Sequence, residues 1–284
     1  MPKVPLVSAI IPTHNEEKDI AACIQSLQEQ TYPAIEIIIV DDGSTDRTKE
    51  KIREFKKVQL LEGAHKGPGF SRNLGAGVAK GDILLFVDAD MTFAKDYVDH
   101  LVLPLLQDRS LVGTTHDYEV VKNISNIWSR CWGKIRVSPE NARKVKIFRA
   151  IRKSRFLEMG GFDPKYGYAD DQTFWFKHQI KPVVAPGTLC YHKNPETLNG
   201  VYRQSRWIGA SLEYPLSSSR GVKYLIPFFL LLVFPVLIPI YVLKKCYQNR
   251  DVRIFFWMIP FIAARYFGTW KGQVNKIYFD HNTR

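Results

Sequence analysis

The stretch GDILLFVDADM, Gly81 to Met91, most constrains what this chain can fold into: five apolar residues run straight into Asp88-Ala89-Asp90. A short continuous apolar run reads as a strand covered on both faces, the kind found in parallel sheets with helices on either side. The two acids then fall at the strand's carboxyl end, where open α/β sheets bind ligands. In extended backbone their side chains point the same way, and neighbouring carboxylates repel unless a cation or a shared proton intervenes. Hard oxygen ligands suit Mg2+ or Mn2+. A solvated turn after a strand would account equally for the tripeptide alone.

The preceding residues repeat the pattern. LVSAIIP and IEIIIVDDG read as strands, and NEEKDIAACIQSLQEQ places Ile20, Cys23, Ile24 and Leu27 on one helical face behind acids. STDRTKEKIREF opens with capping residues, VQLLEG is a third strand, and GFSRNLGAGVAKG is a small-residue helix. Strand-helix alternation predicts an α/β fold with a mostly parallel sheet and helices on both faces. Three strands end in acid-bearing turns, PTHNEE, VDDGSTD and VDADM, and a parallel sheet brings these to one edge. The resulting crevice holds Thr13, Asn15, Glu16, Asp41, Asp42, Asp88 and Asp90. Carboxylates there can hydrogen-bond a ribose or base while a metal bridges phosphates.

The net charge of +12 asks for an anionic partner: nucleic acid, a membrane surface or a phosphorylated substrate. Ten Lys or Arg lie between Ser129 and Arg155 against one acid, Glu140. That stretch is either a solvated face or a surface for anionic lipid heads. It carries no nucleic-acid-binding motif, so no nucleic-acid partner is expected. Cys23, Cys131, Cys190 and Cys246 are far apart, without a C-x-x-C pair, which fits a reducing compartment. MPKVPLVSAIIPTHNEE does not read as a signal peptide.

Taken together, IIPTHNEEKDIAACIQSLQEQTYPAIEIIIVDDGSTDRT, SRNLGAGVAKGDILLFVDAD, GGFDPKYGYADDQTFWFK and RQSRW resemble the family 2 glycosyltransferases of the GT-A fold, over about residues 5–215. The resemblance implies a Rossmann-like nucleotide-binding sheet, a nucleotide-sugar donor, a divalent metal (Mg or Mn) and inverting transfer. By position, Pro12, Thr13 and Glu16 match the nucleoside-contacting turn, Asp42 the acid that reads the base, and Arg72 the basic residue beside the nucleotide. Asp88 and Asp90 match the D-x-D that holds metal against the diphosphate, with Asp88 also on the nucleotide side. Inversion needs a base to deprotonate an acceptor hydroxyl. Asp171 matches the second acid of the family's Glu-Asp, and Asp170 replaces its Glu. Both acids would also suit a helix N-terminus on dipole grounds. In RQSRW, Arg206 and Trp207 match Q-x-x-R-W, whereas Arg203 stands where the family has Gln, which weakens a polymerase reading. These arginines either contact the diphosphate or acceptor or snorkel beside a membrane segment. His192 is either a third metal ligand or a structural histidine. The paired glycines of GGFD point to backbone geometry.

Residues 1–215 are therefore expected to form the catalytic domain, with a nucleotide-sugar half to 120 and an acceptor half from 121. Residues 216–284 would form a membrane-associated helical region. Tyr224–Leu243 is twenty residues without a charge, about a bilayer core in length, and its prolines suit a membrane helix better than a soluble one. IFFWMIPFIAARYFGTW is a second, shorter run broken by Arg265. If the first run spans, the basic linker KKCYQNRDVR lies outside, against the positive-inside tendency; re-entrant or interfacial helices would keep both flanks inside. The expected location is the cell membrane, with the catalytic domain on the cytoplasmic side and a lipid or lipid-linked acceptor such as a polyprenyl phosphate. The rivals are weaker. GPGFSRNLG imitates a dinucleotide fingerprint but has Arg72 at the third Gly position. A sugar nucleotidyltransferase would want a Gly-rich loop where PTHNEE stands, and a non-catalytic membrane adaptor would not need the acids.

Overall fold

The computed structural model describes residues 4–63, 65–211, 240, 242–247 and 251–279. The chain divides into two compact units. The first comprises residues up to 120 with 135–165 and 170–192, and the second comprises 121–134, 166–169 and residues from 193 onward.

The first unit begins as the alternation predicts: β1 (Val7–Thr13), α1 (Ile20–Gln28), β2 (Ile35–Asp41), α2 (Thr48–Arg53), β3 (Val58–Glu62), α3 (Pro68–Val78) and β4 (Ile83–Phe86). β1 pairs in parallel with both β2 and β4, and β2 with β3. Side chains alternate between two covered faces, which explains the continuous buried apolar runs in β1, β2 and β4. Val7, Ala9 and Ile11 face one core with α1, while Ile10, Ile38, Leu84 and Phe86 face another with α3. Helix α1 buries Ile20, Cys23, Ile24 and Leu27, as its periodicity predicts.

Beyond β4 the sheet becomes mixed. β5 (Met91–Phe93), α4 (Tyr97–Gln107), β6 (Gly113–Val121), β7 (Ile135–Val137), β8 (Ala150–Arg152), α7 (Lys153–Glu158), α8 (Thr173–His178) and β9 (Val183–His192) follow, with short helices α5 (Ile127–Trp132) and α6 (Pro139–Ala142) between. The strand order is β3-β2-β1-β4-β8-β6-β9-β5, with β7 on β6. β8 lies antiparallel to β4, and β9 antiparallel to β5. Two glycines bring α3 close. A Cβ at Gly75 would lie 2.5 Å from Ile10 Cγ2, and one at Gly69 would lie 2.5 Å from Asp170 Oδ2. Gly160 and Gly161 both have positive φ (80° and 69°), the backbone geometry expected of GGFD. Asn73 then ties this loop to α3 by bonding the Phe162 backbone in both directions, at 2.7 and 2.9 Å.

In the second unit, α9 (Leu198–Ser211) packs against the C-terminal helix Phe255–Phe279. A Cβ at Gly209, Gly268 or Gly272 would lie 2.2, 2.5 or 2.0 Å from a backbone oxygen of the facing helix. Small residues permit this approach. Cys131, Val201, Met258, Phe261 and Ile262 form its core. Arg265, the charge that breaks the apolar run, lies 4.5 Å over the Trp132 ring.

Among the described residues no helix is long and apolar enough to cross a membrane. The expectation of membrane helices is therefore not met by the C-terminal helix, whose apolar stretch carries Arg265, Lys271 and Lys276. The Tyr224–Leu243 run lies outside the described residues, apart from 240, 242 and 243. All four cysteines are free and buried.

Candidate active site

The parallel register places the ends of β1 and β2 side by side, with Thr13 opposite Asp41. Several acids expected to face a ligand are taken up locally. Asp41 accepts hydrogen bonds from the Ser44 N–H at 3.0 Å and from Thr13 Oγ1 at 3.4 Å. The two oxygens of Asp42 accept the backbone N–H groups of Lys66 and Gly67 at 2.9 and 2.7 Å, clamping the loop before α3. Pro12 is half-buried beside Val40. Asn15 Oδ1 accepts from the Thr45 N–H at 2.8 Å, knitting the first two turns together.

The carboxylate of Glu16 has no hydrogen-bond or ion-pair partner among the described residues. Burial, then the charges of Asp90, Asp19, Asp88 and Asp46, push it up to about 8.

Asp88 and Asp90 do not continue the strand. The Met91 N–H bonds the Asp88 carbonyl at 3.1 Å, closing a turn that sends the two side chains to different partners. The expectation of two parallel carboxylates is corrected accordingly. Asp88 receives Arg72 at 2.7 Å and Arg149 at 3.3 Å. Burial would raise its pKa, but Arg72, Arg149 and His192 outweigh that and hold it well below the usual carboxylate range. Asp90 faces His192, with Nε2 3.1 Å from Oδ1. The antiparallel β5–β9 pairing sets this up by placing His192 opposite Met91, the residue after Asp90. The other ring nitrogen, Nδ1, is 2.6 Å from Glu119 Oε1. Burial disfavours the charged imidazole, yet Asp90 and the hydrogen bonds to Asp90 and Glu119 prevail and push it up to about 9.

These groups fit a divalent cation. Asp90 and His192 aim two donor atoms at each other, and the far nitrogen of the histidine is anchored by a carboxylate. Asp88 differs, since guanidinium groups already occupy both its oxygens.

Arg72 connects this region to the other acids. Buried on α3, it donates to Asp88 and, at 2.8 Å, to Asp170. Asp170 and Asp171 end the 3-10 segment Pro164–Gln172, just before α8. Asp170 is buried against Arg72, whereas Asp171 is half-buried and has no hydrogen-bond or ion-pair partner among the described residues. Burial pushes the Asp171 carboxyl up to about 7; Arg72 works against this, and Asp170 and Asp88 reinforce it.

Arg203, Arg206 and Trp207 lie on α9 in the second unit. Arg203 is exposed, and the Trp207 ring meets Tyr168 edge-on at 4.9 Å.

Sequence reasoning missed Arg149, Glu119 and Arg136. Two of them were hidden in the basic stretch, which is largely structural. Arg136 is 3.1 Å from Glu119, Arg149 holds Asp88, Arg152 donates to the carbonyl of Leu111, and Lys146 lies over Trp175. The run of titratable groups His116, Asp117 and Glu119 inside one strand, GTTHDYEVV, was the available signal for Glu119.

A parallel sheet that gathers carboxylates, a histidine and buried arginines at its carboxyl edge, extended by antiparallel strands, defines an α/β fold of the GT-A-like, Rossmann-type class. Residues 8–162 match the family profile Glycosyl transferase family 2, and the chain belongs to that family. The probable glycosyltransferase YdaM of Bacillus subtilis (strain 168) is 28% identical over 261 residues, 81% of this chain and 58% of that protein. The uncharacterized glycosyltransferase YibD of Escherichia coli (strain K12) is 39% identical over 106 residues, 36% of this chain and 31% of that protein. The mannosyltransferase PcManGT from Pyrobaculum calidifontis, solved with GDP-Man and Mn2+, superposes with a TM-score of 0.61 at 18% identity, covering 99% of this chain and 89% of that one. S. aureus TarS 1-349 in complex with UDP gives 0.51 at 18% identity, covering 95% and 90%.

Proposed function

We propose that the protein transfers a sugar, with inversion, from a nucleoside-diphosphate sugar to a membrane-linked acceptor. The observation that carries this reading is Arg72, which touches Asp88 on the donor side and, on the other, Asp170, the neighbour of Asp171, a carboxylate without a partner among the described residues. One buried cation thus ties together an acidic strand edge and a free carboxylate of raised pKa. The UDP and GDP-Man complexes of the structural neighbours support the donor class.

In this reading Pro12, Thr13, Glu16 and Asp42 border the nucleoside, with Asp42 shaping the loop whose backbone it holds. Asp90 and His192 would hold Mg2+ or Mn2+, which when bound neutralises the diphosphate. Asp88, kept ionised by its two arginines, orients Arg72 on the nucleotide side. Asp171 removes the proton from an acceptor hydroxyl. That oxygen attacks the anomeric carbon, and the carbon–oxygen bond to the diphosphate breaks. If the acceptor oxygen belongs to a phosphate, no proton is removed and Asp171 orients the acceptor. Asp170 holds Arg72 and does not act as a base. Arg203, Arg206 and Trp207 serve the diphosphate or acceptor, as the RQSRW pattern suggests.

Membrane attachment on the cytoplasmic side, and with it a polyprenyl-phosphate or lipid-linked glycan acceptor, rests on the uncharged Tyr224–Leu243 run and on exposed Phe256, Trp257 and Ile259 of the C-terminal helix. The test is a panel of UDP-, GDP- and dTDP-sugars with Mg2+ or Mn2+, with and without polyprenyl phosphate. Metal-dependent release of one nucleoside diphosphate, lost in Asp90→Ala, is expected. Absence of turnover and of nucleotide binding across the panel would overturn the reading, and transfer to soluble sugars alone would overturn its acceptor.

A further inference from the structure

We propose that Glu119 is a positioning residue that presets the cation site of Asp90 and His192, fixing which imidazole nitrogen faces Asp90 and steadying Arg149 on Asp88. The inference rests on the reading of Asp90 and His192 as cation ligands.

Glu119 is 4% exposed, and an acid so buried is costly to the fold unless it is paired and hydrogen-bonded. Its two oxygens are used differently. Oε1 lies 2.6 Å from His192 Nδ1 and 3.1 Å from Arg136 Nε. Oε2 lies 2.8 Å from His116 Nε2 and 3.9 Å from Arg149 Nη2. Arg136 reaches Glu119 through an irregularity in the β6–β7 pairing. Glu119 stands opposite Val137 while Val120 stands opposite Ile135, so Arg136 is the extra residue. Such bulges re-aim side chains next to sites.

The first oxygen sets the tautomer of His192. An imidazole whose Nδ1–H donates to a carboxylate presents Nε2 as its lone-pair nitrogen when neutral, and such carboxylates hold metal-binding histidines in orientation. Here that Nε2 is the atom 3.1 Å from Asp90. The second oxygen acts at longer range: Arg149 bridges the space from Glu119 to Asp88 Oδ2, 3.3 Å from its Nη1. One buried carboxylate thus stands behind both acids of the D-x-D.

Glu119 could instead be a ligand itself, because its carboxylate, His116 and Cys190 offer donor atoms within 4.8 Å of one another. Arg136 and Arg149 argue against this, since two guanidinium groups already stand against that carboxylate.

The test is Mn2+ binding to the full-length protein, followed by the loss of the free-ion electron paramagnetic resonance signal, with and without UDP or GDP. Glu119→Gln keeps the size and removes the charge, and should weaken Mn2+ binding about 10- to 100-fold. His116→Gln disturbs the same cluster without touching His192; it should lower thermal stability and cost Mn2+ affinity less than Glu119→Gln does, because Glu119 keeps its charge and its bond to His192. If Glu119→Gln does not fold, Glu119→Asp, which withdraws the carboxylate by one methylene, should still show a severalfold loss. Wild-type affinity in either folded Glu119 variant, with binding lost in Asp90→Ala, would overturn the positioning role alone. Mn2+ binding that is absent, or indifferent to Asp90→Ala, would overturn the cation reading and this inference with it. A loss in His116→Gln equal to that in Glu119→Gln would reduce Glu119 to a structural residue.

Discussion

Asp170 and Asp171 are adjacent, yet their surroundings give them opposite work. Asp170 is spent on a buried guanidinium, and its removal leaves Arg72 charged with one partner fewer. Asp170→Ala should therefore cost about 3–5 kcal/mol in denaturant unfolding. Asp171 has no hydrogen bond or ion pair to lose among the described residues, so Asp171→Asn should unfold at or near the wild-type midpoint. With a hydroxyl acceptor, the same substitution should lower kcat by about 10²- to 10⁴-fold while calorimetry shows unchanged nucleotide affinity. A base must be ionised to accept a proton, and burial pushes this one up to about 7. The wild-type kcat/KM should accordingly rise with pH through about 7, and the rise should vanish in Asp171→Asn. A flat profile with a hydroxyl acceptor would remove Asp171 from the base role.

Helices in this molecule sit where glycine lets them. Helix α3 carries Arg72, and its distance from β1 is set at Gly75, where a methyl group would meet Ile10. Gly75→Ala should cost about 1–3 kcal/mol as an overpacking change, and should weaken nucleotide binding because Arg72 moves with the helix. In the second unit the closest approach is at Gly272, where a Cβ would lie 2.0 Å from the Arg206 carbonyl oxygen. Backbone yields less readily than a side chain. Gly272→Ala should therefore separate α9 from the C-terminal helix and expose both to limited proteolysis, leaving the first unit protected. Much of this level was legible. Apolar runs, glycines and capping residues located β1 to β4 and their helices, because local periodicity decides which face of an element is buried. The turn at Ala89–Asp90 was not legible, since an apolar strand followed by D-x-D is compatible with either backbone.

For the whole molecule, the C-terminal residues are part of the second unit's core and not an appendage. Met258 and Phe261 are fully buried there, and Gln273 donates to the Gly209 carbonyl at 2.7 Å. Deleting 216–284 would remove the partner of α9, so truncation would report on folding before membrane binding. Point substitutions are cleaner. Phe256 and Trp257 are 78% and 47% exposed, beside the exposed Arg253. If this face meets lipid, Phe256→Ser with Ile259→Ser, which spares the ring contact of Trp257 with Trp128, should reduce flotation with anionic vesicles severalfold at little cost in stability. Equal flotation of variant and wild type would leave attachment to the remainder of the chain.

The sequence by itself determined the α/β alternation, the acid-bearing strand ends and the family resemblance, because each is written in residues close together along the chain. It also placed Asp171 and His192 among the candidates. Only the tertiary structure decided what each charged group does. Glu119 lies 73 residues from His192, and Arg72 lies 98 from Asp170. Whether an acid is left for a ligand or consumed by the fold depends on which cation and which backbone N–H groups pack against it. No local pattern encodes that, because the partners meet only when the sheet brings its strand ends together.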